Sequence, residues 1–341
     1  MRSQQPTVSV VVVSHNEGVS IRKTVDNLVS TTPPDAEIIV VDDASTDGSC
    51  RGIDCVAGVR LCRPSRRLGA AAARNFGARN ARGRMMVFCD AHVLTPSGWF
   101  PPFDRLLRRP DVGVVGPAYC EMQARDAKGY GPVLSDAGLN WIWLEQQSNV
   151  PYPVPMLGGY FIGLRRSTFW QIGGFDVGFG LWGMEDLEFS LRVWLLGFKC
   201  MLVPTIEVAH LSRVPKSVPD YQRDWQMGLR NVLRVAVLHL GEASMQKVFN
   251  HYARDPTFSK ALAALAVSDA WHRRDNYLSL RARSDSWFFK RFGIRWDDPV
   301  APQRHGRPTA AQLINRPLRQ HAYENILVDL DAPVSLPAQR I

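Results

Sequence analysis

The sequence predicts an α/β fold, with a mostly parallel central sheet flanked by helices and a helical C-terminal extension. Short apolar runs alternate with amphipathic stretches over the first two thirds of the chain, and strand–helix–strand order builds parallel sheets. Three of those runs stop at polar residues suited to chemistry, at 14–16, 42–43 and 90–92. Beyond position 213 only helical spacing remains.

Residues 7–14 (TVSVVVVS) read as a strand buried on both faces. Residues 17–28 carry Val19, Ile21, Val25 and Leu28 at helical spacing with Arg and Lys between them. Residues 36–41 (AEIIVV) give the second strand, followed at once by Asp42-Asp43-Ala44-Ser45. This is a βαβ unit, whose crossover is right-handed. Residues 56–61 give a weaker third strand, the Ala-rich 69–82 a helix close to the sheet, and 85–89 a buried strand ending in Asp90-Ala91-His92. Ligands of open α/β sheets bind beyond the carboxyl ends of strands, so the three polar strand ends form one site. Residues 112–159 read as loop-rich, 161–164 as a strand, 166–172 as a short helix, and 185–196 as a helix with Leu187, Leu191 and Leu195 on one face. Residues 200–204 and 206–209 are strand-like and end at His210. A helix over 221–240 carries Trp225, Leu229, Val232, Leu233 and Ala236, further helices run to about 291, and Pro and Arg dominate after that. The expected division is a domain of residues 1–212 and a helical extension of 213–341.

With 341 residues, 45% hydrophobic and 21% charged, the chain has the make-up of a folded enzyme and needs no disulfide or structural metal to hold it together. Its longest apolar stretches, such as 10–13 and 193–196, fall far short of the roughly 18 to 20 residues that cross a bilayer. The N-terminus does not read as a secretory signal, and a cytoplasmic location is expected. Cys50, Cys55, Cys62, Cys89, Cys120 and Cys200 show no Cys-x-x-Cys pair, which suits scattered reduced thiols rather than a zinc site. The net charge is +9, and residues 213–341 hold 20 Lys/Arg against 12 Asp/Glu. Such an excess suits an anionic partner or a membrane surface as well as a merely solvated helical face.

A dinucleotide oxidoreductase is excluded, because its first strand-to-helix turn reads Gly-x-Gly-x-x-Gly and here stands Ser14-His15-Asn16-Glu17-Gly18. That opening, with Asp42-Asp43, Arg66-Arg67-Leu68-Gly69, Arg74-Asn75 and Asp90-Ala91-His92, resembles the family 2 and family 27 glycosyltransferases. The resemblance implies the Rossmann-like GT-A fold and a sugar-nucleotide donor. It splits the first domain into a nucleotide-binding half, 1–115, and an acceptor half, 116–212. It further implies that Val13, His15, Asn16 and Gly69 line the nucleotide pocket, that Asp43 accepts a hydrogen bond from uracil, that Arg67 reaches the nucleotide, and that Arg74 supports Asp43. Asp90 and His92, two residues apart at a strand end, point the same way and can share one divalent ion. Asp-x-His is similar to the polypeptide N-acetylgalactosaminyltransferases, where a distant His is the third ligand; His210 stands in the matching place. Two imidazoles and one carboxylate favour Mn²⁺ over Mg²⁺.

Gly158-Gly159 allows backbone close to a donor sugar, and Trp182-Gly183 resembles a loop that closes over it. The peptide transferases read Trp-Gly-Gly-Glu-Asn where this chain has Trp182-Gly183-Met184-Glu185-Asp186. An Asp there resembles inverting members such as the β-1,4-galactosyltransferases. Single displacement needs a carboxylate to take the acceptor's proton, which an amide cannot do. The expectation is therefore a metal-dependent, UDP-sugar-dependent hexosyl- or hexosaminyltransferase with Asp186 as base and Glu185 on sugar hydroxyls. The acceptor is a peptide, a glycan or a natural product, and no nucleic acid is expected. Retaining transfer to peptide Ser/Thr stands as the alternative, a non-catalytic sugar-nucleotide or nucleic-acid binding protein as the other class. For the C-terminal helices two roles stay open, cover for the acceptor groove or a homo-oligomer or membrane-surface contact.

Overall fold

The valine run takes the middle of the nucleotide-side sheet. In the computed structural model, which describes residues 5–212 and 224–296, β1 (Val8–Ser14), β2 (Glu37–Asp42), β3 (Val59–Cys62) and β4 (Met85–Asp90) run parallel in the order β4-β1-β2-β3. Register sets Ser14 opposite Asp42 and Val13 opposite Asp90, so the three polar strand ends stand in one row. Side chains of β1 alternate between two cores, as a pleat dictates. Val8, Val10 and Val12 face α1 (Ser20–Thr31), and Val11 faces α2 (Ala70–Asn80). The small residues of α2 let it lie close on the sheet: a Cβ added at Gly77 would come within 2.2 Å of Val11 Cγ1.

Beyond β4 the sheet becomes mixed, which narrows the expectation of a mostly parallel one. After β5 (Val93–Leu94) and α3 (Phe100–Leu107), the stretch expected to be loop-rich contains β6 (Val112–Glu121), ten residues all buried. It also holds β7 (Ala124–Gly129), the hairpin of β8 (Pro132–Leu134) with β9 (Trp141–Trp143), and β10 (Tyr152–Pro153). Gly113, Gly116 and Pro117 had broken the strand pattern. In the fold the glycines admit close neighbours, since an added Cβ would meet Phe198 Cβ at 2.7 Å or Leu157 Cδ2 at 2.8 Å. β11 (Phe161–Arg165) enters between β4 and β6, antiparallel to both. α4 (Arg166–Ile172) and α5 (Glu185–Leu195) follow as expected. The two strands expected before His210 are one, β12 (Lys199–His210), parallel to β6 with a register shift between Val203 and Glu207.

The C-terminal part is helical: α6 (Trp225–His239), α7 (Glu242–Tyr252), α8 (Phe258–Ala266), α9 (Ala270–Leu280) and α10 (Asp285–Phe292). The helix expected from 221 starts at Trp225, where Asp224 caps it by accepting from Met227 N at 3.1 Å. Positions 213–223, with the start of the expected extension, and the Pro- and Arg-rich stretch from 297 lie outside the described residues. Leu229, Leu233, Val235, Val237 and Leu238 of α6 are fully buried in the same core as α2, α4 and α5. Polar pairs cross that seam: Glu188, paired with Arg192 of its own helix at 2.7 Å, also binds His239 at 2.7 Å, and Arg234 binds Asp176 at 2.9 Å, all at 2% exposure or less. Among the described residues, no helix is long and apolar enough to cross a membrane.

Candidate active site

Asp90 closes β4, His92 follows it by two, and His210 closes β12 far along the chain. The two-residue β5 brings them together. It pairs antiparallel with the end of β12, His210 opposite Val93 and Ala209 opposite Leu94, and Leu211 N donates to His92 O at 3.0 Å. One ligand atom from each residue then lies within 4.8 Å of the others. The imidazole rings are 4.8 Å apart by centroid, and His210 Nε2 stands 3.4 Å from Asp90 Oδ2.

This donor set fits a divalent ion. His92 Nδ1 is engaged by Glu17 Oε2 at 3.0 Å, the carboxylate–imidazole arrangement common behind metal ligands. His210 Nδ1 is buried without a hydrogen-bond partner, a cost that a ring recruited as ligand or donor repays. Burial by itself raises the Asp90 carboxyl, but the His210 hydrogen bond and the nearby Arg74 and imidazoles overcome it and hold the group well below the usual carboxylate range. Burial lowers the His210 imidazole. Both shifts favour the protonation states that ligate.

Arg74 is the hub between this cluster and the start of α5. It is 5% exposed; Nη2 donates to Asp90 Oδ1 at 3.1 Å and to Gly159 O at 3.3 Å, and Nη1 donates to Glu185 Oε1 at 3.0 Å. The expected support of Asp43 by Arg74 is therefore corrected. Asp43 is held instead by backbone, accepting from Leu68 N at 2.6 Å and Gly69 N at 2.8 Å. The reason is topological: α2 begins right after those amides and carries Arg74 one turn further, toward β4.

Glu185 also accepts from Gly183 N at 2.8 Å, and burial pushes its carboxyl up against the pull of Arg74. Asp186 accepts from Gly159 N at 3.0 Å and from Leu187 N at 2.8 Å, so its carboxylate is fixed by backbone donors and keeps free lone pairs. The Gly159 amide, expected against a donor sugar, is taken by Asp186. A Cβ added at Gly158 would meet the Tyr160 ring at 2.7 Å. Val13 is half-buried in the core beside α2. His15 Nδ1 is 2.7 Å from Asp43 O, and Asn16 Oδ1 accepts from Thr46 N at 2.7 Å, so both clasp the loop after β2. Arg67 is half-buried next to that turn, and Trp182 is 42% exposed.

Glu17 and the bridging role of β5 were missed by sequence reasoning. Glu17 follows His15-Asn16 directly, but nothing in the spacing links it to a residue 75 positions on. Of the six thiols, Cys50, Cys89, Cys120 and Cys200 are buried, whereas Cys55 is exposed and Cys62 half-buried.

Residues 9–173 match the model of the glycosyl transferase family 2, and residues 144–222 that of the N-terminal domain of galactosyltransferase. The chain is 29% identical over 320 residues to polypeptide N-acetylgalactosaminyltransferase 10 of Mus musculus, covering 86% of this chain and 50% of that protein. It is 28% identical over 264 residues to N-acetylgalactosaminyltransferase 6 of Drosophila melanogaster, covering 70% and 39%. The chain thus spans about half or less of the length of these relatives. In fold it is similar to the crystal structure of GalNAc-T7 with UDP, GalNAc and Mn²⁺, with a TM-score of 0.69, 24% identity, and 85% and 57% of the two chains covered. A mannosyltransferase from Pyrobaculum calidifontis in complex with GDP-Man and Mn²⁺ gives 0.52 and 22%, covering 85% and 84%. Asp90 and His92 thus lie within the residues that match the glycosyl transferase family 2 model and His210 within those that match the galactosyltransferase model, on a GT-A-like fold carried by a chain with a helical C-terminal part.

Proposed function

We propose that the chain transfers a hexose or hexosamine from a UDP-sugar to an acceptor hydroxyl with inversion at the anomeric carbon. The observation that carries this reading is the convergence of Asp90, His92 and His210 beside the Arg74 hub, with the Asp186 carboxylate tethered to the same Gly159 turn. A manganese ion held by the three ligands would offset negative charge on the departing diphosphate. The protein's own groups do the rest. Asp43, clamped by two amides, keeps lone pairs for the uracil edge. Arg74 fixes Asp90 on one side and Glu185 on the other. Asp186, held by backbone donors, takes the acceptor's proton, whereas Glu185 is engaged by the Arg74 guanidinium and the Gly183 amide. Trp182 and its loop cover the donor and keep water out. The match to a galactosyltransferase domain over 144–222 supports an inverting course.

Retaining transfer to a peptide is the second reading, favoured by the polypeptide N-acetylgalactosaminyltransferases among the relatives. The test is a panel of UDP-sugars with Mn²⁺, followed by NMR of the product. A β-linked product from an α-donor supports the proposal, and an α-linked one moves it to the second reading. A cytoplasmic location belongs to the same proposal, supported by the six free thiols.

A further inference from the structure

The helical part follows the last strand-end ligand in sequence, yet one of its side chains reaches back to the Trp182 loop. Asn231, in the middle of α6, is fully buried. Its Nδ2 donates to three backbone carbonyls of that loop, Phe179 O at 2.9 Å and Trp182 O and Gly183 O at 3.1 Å each. Arg230, one residue earlier, donates through Nη1 to Gly178 O at 2.6 Å and to Asn231 Oδ1 at 3.2 Å. The opposite side of the loop rests on the nucleotide turn, where Ala70 N donates to Leu181 O at 2.9 Å. The loop itself is poor in internal structure. Gly180, Gly183 and Met184 all have positive φ, and Trp182 projects outward. Its shape is therefore held from outside, by a backbone amide of the nucleotide turn on one side and by the Asn231 and Arg230 side chains of α6 on the other.

We propose that Asn231 is a positioning residue that holds the Trp182–Gly183 carbonyls, and through them Trp182, over the donor site. The inference rests on the UDP-sugar reading above for what the loop covers, but not for what holds the loop. Because the two N–H groups of one amide serve three carbonyls, removing it takes that donor from all three, Phe179 O among them in a buried place, and the loop opens locally rather than with the whole fold. Fewer closures leave the bound donor open to water.

Two measurements on the full chain test this. Hydrogen exchange by mass spectrometry compares the wild type with Asn231→Ala. Peptides covering 177–184 should exchange at least about tenfold faster, while those from β1 and β4 stay within twofold. Turnover should show transfer falling at least tenfold relative to UDP-sugar hydrolysis, with the dissociation constant of UDP and Mn²⁺ within twofold of wild type. Loop exchange within twofold of wild type overturns the proposal, and so does faster loop exchange with an unchanged ratio of transfer to hydrolysis. If Asn231→Ala does not fold, Arg230→Met takes its place, and unchanged exchange at 177–184 overturns the proposal there too. Absence of UDP-sugar turnover by the wild type counts against the proposed function alone, because the exchange experiment needs no substrate.

Discussion

Gly69→Ala is the most informative single perturbation, because Gly69 is where the nucleotide turn and the Trp182 loop touch. Its φ of +82° with ψ of 167° is backbone that side chains rarely adopt. An added Cβ would lie 2.4 Å from Gly180 O and 2.6 Å from Leu181 Cα. Neither atom belongs to a flexible side chain, so the loop itself must move. Backbone strain costs about 2 kcal/mol. Retreat of Leu181 also loses the Ala70 N to Leu181 O bond of 2.9 Å, about 1 kcal/mol. The sum is roughly 3 kcal/mol, which at a urea slope of about 3 kcal/mol per molar lowers the midpoint by about 1 M. The assay is urea unfolding followed by tryptophan fluorescence, with UDP titrated calorimetrically in Mn²⁺ on the same preparation. Nucleotide affinity should fall as well, because Gly69 N is one of the two amides on Asp43. A midpoint within about 0.2 M of wild type, with UDP binding unchanged, would refute the argument that the two segments are locked at this residue.

Other outcomes follow from the same geometry. Asp186→Asn should lower transfer by about 10² to 10⁴ with UDP affinity retained; a variant as fast as wild type in steady-state kinetics would remove Asp186 from the role of base. Glu17→Gln should weaken Mn²⁺ binding about 10- to 100-fold, read by electron paramagnetic resonance of free Mn²⁺; unchanged affinity would leave Glu17 as packing only. Glu188 gives an acid limit. Burial alone would raise its carboxyl, but Arg192 and His239 hold it down to about 2 from an ordinary 4.5. Its stabilisation is thus complete above the unfolded value and lost as pH falls from about 4.5 toward 2. Acid unfolding monitored by near-ultraviolet circular dichroism should begin inside that window in wild type, and Glu188→Gln should flatten it while lowering stability at pH 7. A variant with the same acid profile would show that this triad does not set the limit.

How much of this was legible in the sequence depends on the reach of each contact. The strands at 8–14, 37–42 and 85–90 were readable because a short, mostly apolar run bounded by polar residues suits a strand buried on both faces, and the polar residues that stop each run became the site. β6 was not readable, since Gly113, Gly116 and Pro117 look like loop punctuation. Pro117 sits next to the register shift against β12, where a strand tolerates a missing donor. The direction of β11 leaves no trace in a five-residue apolar run. The ligand set was legible through Asp90 and His92 and a matching motif at 210, but the two-residue strand that joins them was not. Arg74 was found and misassigned, because its partners lie 16 and 111 positions away and no local pattern chooses between acidic neighbours.

Asp176 and Glu188 set a practical limit on how such chains can be recombined. Both are fully buried on the α/β side, yet their partners Arg234 and His239 come from α6. A graft made at the end of β12 would strand the Asp176 carboxylate inside a dry interface without Arg234, and would leave Glu188 with Arg192 of its own helix but without His239. Tail exchange, by an engineer or by gene fusion, therefore has to carry α6 with the domain, as inherited framework rather than as an accessory.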